Sequence, residues 1–293
     1  DEKQKKDAFM KNTAIITLIF ALMLCIPALA AEGAVAVVGA DLSEAEIESV
    51  YDMFGLERGS VEELTITNRQ EREYLEGMVP EEQLGTRSIS CVLVSPSDSG
   101  LDVSTENITW CTDGMFLSAM STAGMEDVSV IAAAPFEVSG TAALAGIFMA
   151  YEDMTGAALT DEAKLAAAAE LTTTASLTGE LGDGVLSMIT ELKLIIDDLE
   201  GMSDSELTAK LDELAGEIGI ELNDFQREQL VELCRRFEQL DTDALADKVS
   251  AIKDKLADMG ELKEKAVSFW DAIVSFFKAI AEFVSRIFAI FAG

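Results

Sequence analysis

The chain has 293 residues, with 21 Lys and Arg against 54 Asp and Glu, and it contains no His. Without imidazole there is no Ser-His-Asp or Cys-His catalysis, no His-ligated metal and no imidazole general base. A formal net charge of −33 repels phosphate backbones, so no nucleic acid partner is expected; the acidity reads first as colloidal solubility. No acidic loop has the Gly and Glu spacing of a helix-loop-helix calcium site, and nothing in the pattern implies a metal or a cofactor.

In chain order the first informative stretch is residues 10–30. Met10-Lys11-Asn12-Thr13 is short, polar and basic, residues 14–26 are apolar, and Pro27 breaks the run. Ala28-Leu29-Ala30 then places small residues where a signal peptidase reads, which is the three-part layout of a secretory signal. The apolar run is shorter than the roughly 20 residues that cross a bilayer. Cleavage is expected after Ala30, and residues 1–9, upstream of an initiator at Met10, are set aside. Leu24 before Cys25 is too large for a lipoprotein site. The expected product is secreted or held at the cell surface, with 17 basic and 51 acidic side chains remaining after residues 1–30 are removed.

Residues 31–156 read as an α/β or α+β domain. Apolar β-type runs at 34–38, 61–66, 88–94, 102–110 and 127–133 alternate with helical patterns at 43–54, 68–77, 113–123 and 139–151. Ser43 with Glu46 and Asn68 with Glu71 have the spacing of helix-starting capping boxes. Ser95-Pro96-Ser97-Asp98-Ser99-Gly100 reads as a hairpin loop joining two strands directly, which makes the expected sheet mixed. The cysteines beyond the signal are Cys91, Cys111 and Cys234, an odd number without a CxxC pair. Cys91 and Cys111, on successive strands, could be bridged; the other reading makes all three small buried apolar residues.

Residues 157–265 form an acidic, all-helical region, with helices expected at 161–176, 179–199, 204–218 and 224–240. Ser203 with Glu206 and Asn223 with Gln226 mark two of the starts. Residues 266–293 are expected to form a long apolar amphipathic helix. On it Asp271, Ser275, Lys278, Glu282 and Arg286 fall on one narrow stripe, and Phe269, Trp270, Phe276, Phe277, Phe283, Phe288 and Phe291 lie on the apolar remainder. A surface of that kind must dock on its own protein, meet a membrane interface or associate with other copies.

Several stretches occur in an order that resembles a known family. They are Asp41-Leu42-Ser43, Thr67-Asn68 with Glu71 and Tyr74-Leu75, Pro80, and Gly85-Thr86-Arg87-Ser88-Ile89-Ser90. Asn107-Ile108-Thr109-Trp110, Thr122-Ala123-Gly124 and residues 134–144 (APFEVSGTAAL) follow. The series resembles the domain of unknown function 1002 family, YpuA-like predicted secreted proteins of Gram-positive bacteria. The resemblance implies an exported, cell-envelope setting and carries no activity to transfer.

Candidate chemistry is sparse. Ser139-Gly140-Thr141 follows a strand and opens a helix, where free N–H groups could hold an anion; a plain helix start explains the same residues. Arg87 and Asn107 are polar groups at strand ends, where sites on α/β sheets form. No pair of carboxylates stands out for glycoside hydrolysis. The reading is therefore an exported, non-enzymatic binding protein of the cell envelope. One alternative is a membrane-active or self-assembling protein that uses the terminal helix; another is a carboxylate-based hydrolase of envelope polymers. The partners expected are a membrane surface, an envelope macromolecule or further copies of the chain.

Overall fold

A computed structural model describes residues 33–75 and 81–262. The signal read at 10–30 and the helix read at 266–293, with Phe269, Trp270, Phe276, Phe277, Phe283, Phe288 and Phe291, lie outside them. Five strands build one mixed sheet: β1 (Val35–Gly39), β2 (Glu62–Ile66), β3 (Cys91–Pro96), β4 (Asp102–Ile108) and β5 (Val128–Val138), in the order β2-β1-β3-β5-β4. β1 pairs parallel with β2, and β4 with β5, while β3 runs antiparallel to both of its neighbours. Four strands therefore end at the same edge of the sheet, and β3 begins there. Each parallel pair needs a crossover. α1 (Glu44–Phe54) supplies it between β1 and β2, and α4 (Asp113–Thr122) between β4 and β5.

The expected hairpin across residues 95–100 does not form. β5 lies between β3 and β4, pairing Ile131 with Leu93 on one side and with Ser104 on the other. The turn reverses the chain as its Pro, Ser and Gly content predicts. Which strand fills the space between its two arms is decided by burial, and the apolar run of β5 is better suited to the centre than the polar β4, whose residues are mostly exposed or half-buried.

Side-chain alternation along the strands makes two cores. On one face α1 places Ile47, Val50, Tyr51 and Phe54 over Ala34, Ala36, Val38, Cys91, Leu93 and Ala133. On the other, Val35, Val37, Val92, Val94, Val130 and Ala132 meet α4 and α5 (Thr141–Thr155). Gly146 lets α5 lie close to the sheet, since a Cβ there would stand 3.2 Å from Val92 Cγ2. Cys91 belongs to the first core and Cys111 to the second, so the bridge entertained between them does not exist; both are free and buried, as is Cys234. Burial pushes the Cys111 and Cys234 thiols up to about 12, which makes them inert apolar groups.

The C-terminal half is helical. α6 (Asp161–Leu181) is followed by α7 (Gly184–Leu194), α8 (Ile196–Leu199), α9 (Asp204–Glu217), α10 (Asp224–Phe237) and α11 (Thr242–Asp258). The helix expected at 179–199 is thus divided: α6 runs on to Leu181, and a break at Ile195 separates α7 from α8. α11, capped by Asp241 at the backbone N–H of Ala244, was not among the expected helices. Ser203–Glu206 and Asn223–Gln226 are capping boxes, as their spacing predicts, and so is Ser43–Glu46. α6 is apolar on two sides. Ala167, Ala168, Leu171 and Ala175 join the sheet core, whereas Ala166, Ala169 and Leu177 join a third core formed by α7 to α11. A helix that meets two cores is expected to be apolar on both of those faces, and its alanines let both sets of neighbours approach closely.

Candidate functional site

At the edge where β1, β2, β4 and β5 end lies a cavity of about 310 Å³, lined by Glu71, residues 83–87, Ile89, Ser90, Val138, Ser139, Thr141 and Ala142. Crevices beyond the carboxyl ends of strands are where open α/β sheets bind ligands. Its walls come from three places: α2 (Asn68–Leu75) after β2, the segment from α3 (Glu81–Leu84) to the start of β3, and the turn from β5 into α5.

The segment before β3 is clasped to the end of β1. Asp41 Oδ2 accepts the backbone N–H of Ser88 at 2.8 Å, Asp41 N–H donates to the Ser88 carbonyl at 3.2 Å, and Arg87 Nη2 donates to the Asp41 carbonyl at 2.9 Å. The two chains come so near that a Cβ on Gly39 would stand 2.4 Å from the Ser88 carbonyl oxygen, a reason for glycine independent of turn geometry. Arg87 is presented at the rim and, alone among the described arginines, makes no salt bridge.

The turn into α5 has no side-chain cap. Gly140 is its N-cap at φ 95, where a Cβ would stand 2.3 Å from Ile108 Cγ2, so neither the backbone nor the space admits a side chain. α1, α4, α6, α9, α10 and α11 each have a side chain capping the first turn and an acid within it, whereas α5 and α7 have neither. The backbone N–H groups of Thr141 and Ala142 have no partner among the described residues, although each of these residues is only 3% exposed. Buried helix ends ordinarily find partners for these groups.

Glu71 forms the floor. Its Oε1 accepts from Thr141 Oγ1 at 2.6 Å and its Oε2 from Asn68 Nδ2 at 3.3 Å. Burial pushes its carboxyl up to about 7, against the lowering effect of the Thr141 and Asn68 hydrogen bonds and of the Arg72 charge. The capping role expected of Asn68 with Glu71 falls one residue earlier: Thr67 and Gln70 exchange the reciprocal bonds at 3.0 and 3.3 Å. That displacement frees Glu71 to turn inward. Ser139 Oγ donates to the Gln83 carbonyl at 2.8 Å, tying α3 to the turn.

Of the residues singled out by sequence, Arg87, Ser139 and Thr141 line this one cavity, and Gly140 shapes its turn. Asn107 does not line it; at φ 60 it occupies an irregularity of β4 and donates from Nδ2 to the Ala134 carbonyl at 2.8 Å, a bond between strands. Sequence reading missed Glu71 as a site group, and it also missed Ser90. A model of the family described as protein of unknown function, DUF1002, matches residues 38–259. The chain belongs to the DUF1002 family. It is 36% identical over 257 residues to a protein of Bacillus subtilis (strain 168), the uncharacterized protein YpuA, with 82% of this chain and 88% of the relative covered. No solved structure matches the chain. The DUF1002 match runs from the last two residues of β1 through the other four strands, the cavity and the helices to α11, so the site belongs to the shared part of the chain.

A second polar cluster lies deeper, between α4, α6 and α7. Lys193, wholly buried, donates from Nζ to Glu170 Oε1 at 2.7 Å, to Ser118 Oγ at 2.8 Å and to Thr122 Oγ1 at 3.1 Å. The Ser118 hydroxyl in turn donates to Glu170 Oε1 at 2.6 Å, and that of Thr122 to Oε2. A Lys beside a Ser resembles a nucleophile with its base, but Ser118 is 1% exposed and both groups are spent on Glu170. The cluster joins three helices and serves the fold.

Proposed function

We propose that the protein is exported to the cell envelope or beyond it and acts there by binding a ligand, without turning it over. The observation that carries the binding half is the composition of the cavity at the head of α5. It offers hydrogen-bond donors around one acid, and two of the hydroxyls that line it, those of Ser139 and Thr141, are held by a carbonyl and by Glu71. Glycoside hydrolysis needs two carboxyls about 5–9.5 Å apart, whereas among the described residues Glu71 is the only acid in the lining. Carboxylate-based hydrolysis of envelope polymers is thereby disfavoured. The export half rests on the layout of residues 10–30. Expressed from Met10 in a Gram-positive host, the protein is expected in the wall or medium fraction with Ala31 as its first residue. Deleting residues 11–30 should retain it in the cytoplasm. Full-length protein found only in the cytosol would overturn the export half.

A second reading, action on membranes or by self-assembly, is favoured by the aromatic face of residues 266–291. No helix of the described residues is long and apolar enough to cross a membrane. Flotation with anionic liposomes and light scattering, each with and without residues 266–293, separate the outcomes. Membrane action predicts flotation lost on deletion, and assembly predicts a fall in mass. If neither changes, the segment has neither role.

A further inference from the structure

We infer that the cavity at the head of α5 takes a ligand through an oxyanion, a carboxylate or phosphate group, seated between the Arg87 guanidinium, the Ser90 hydroxyl and the free N–H groups of Thr141 and Ala142. The inference rests on the binding reading above and names the chemistry of its ligand. Three independent observations converge. The N-terminus of α5 carries the positive end of a fifteen-residue helix dipole and has no capping side chain and no acid in its first turn. Ser90 lines the same cavity at 4% exposure, and its hydroxyl has no hydrogen-bond partner among the described residues. Arg87 makes no ion pair within 4 Å among the described residues, its charge acting only at longer range on the Glu46 carboxyl. A buried donor without an acceptor costs roughly 1–3 kcal/mol, and donors left unmet from two segments of chain, the stretch before β3 and the head of α5, around one space call for an acceptor in that space.

Glu71 is the group that opposes an anion. Both its oxygens accept hydrogen bonds from Thr141 and Asn68, and burial pushes its carboxyl up to about 7, so the negative charge it sets against an anion is reduced at neutral pH and falls further as pH drops. The acidic surface as a whole repels free anions, so a bound one must be held by the local donors. At about 0.15 M salt the Debye length is near 8 Å, and the distant charges are screened while the contacts in the cavity are not.

The test is titration of the purified full chain with inorganic phosphate, and separately with acetate, at that ionic strength, following backbone amides by NMR. The expected result is saturable movement of the Thr141 and Ala142 amides with at least one of the two probes; which probe saturates first tells phosphate from carboxylate. Arg87→Gln should weaken that binding about tenfold, one ion-paired hydrogen bond's worth, and Ser90→Ala about threefold. Glu71→Gln should leave it intact or tighten it. Thermal unfolding of each variant checks that the fold is kept, and Arg87, being exposed, should not disturb it. No saturation of these amides with either probe, or saturation unchanged in Arg87→Gln, overturns the assignment. Neither result bears on export, which the fractionation experiment decides separately.

Discussion

Replacing Lys193 with Ala is expected to destabilise the protein by about 3–5 kcal/mol, the cost of leaving a buried charge without its partner. Glu170 is 1% exposed and would keep only the Ser118 and Thr122 hydroxyls. Burial pulls the Lys193 ammonium below its ordinary range, and Glu170 alone among the charged groups pushes it back up, so each charge depends on the other. Removing both, as Lys193→Met with Glu170→Leu, should cost much less than removing one, because packed apolar side chains of similar volume carry no desolvation penalty. Urea unfolding of the two single variants and the double variant measures this as a coupling energy. A Lys193→Ala loss under about 1 kcal/mol, or a double variant worse than the sum of the singles, would contradict the role assigned to the pair.

Glu191→Gln should stabilise the protein at pH 8 and leave it nearly unchanged at pH 4.5. Glu191 is 3% exposed on α7, and its Oε1 is buried without a partner. Burial pushes its carboxyl up to about 7, the Glu217 charge adds to this, and Lys253 and Lys210 oppose it. The folded state therefore holds this proton more tightly than the unfolded chain does. The associated stability is complete below the ordinary carboxyl value of 4.5 and is lost as pH rises through about 7. The total is about 3 kcal/mol at 1.36 kcal/mol per pH unit. Glu71 acts in the same direction, whereas carboxyls held low, such as Glu63 beside Arg58, act in the opposite one. Comparison of wild type with the variant isolates Glu191. Equal slopes of unfolding free energy against pH in the two proteins would remove it as a source.

Much of the frame was legible in the sequence because it is local. The strands lie within a few residues of their expected places, and the α/β character follows from alternating periods. The turn at Ser139-Gly140-Thr141 could be read as a strand passing into a helix. Glu71 was hidden by a coincidence of spacing: Thr67–Gln70 and Asn68–Glu71 both fit the capping signature, and only packing decides which pair takes the role. Lys193 and Glu170 stand 23 residues apart on different helices, and no local pattern announces that two charges will be buried together. Ser90 could not be singled out either, since an unmet hydroxyl is a property of its surroundings. The strand order was beyond local reading for the same reason. A turn specifies that a chain doubles back, and the insertion of β5 depends on residues about 30 positions further on.

The late arrival of that central strand governs how the molecule can be cut or built. A fragment ending before Val128 has β3 and β4 but nothing to hold them in their final spacing, so each presents a bare row of N–H and C=O groups. The sheet therefore has no stable N-terminal half: anything shorter than residue 138 is two open-sided pieces, sticky toward each other and toward neighbouring chains. A working truncation has to begin from the C-terminal side, beyond the last turn of α5, or it leaves the middle of the sheet missing.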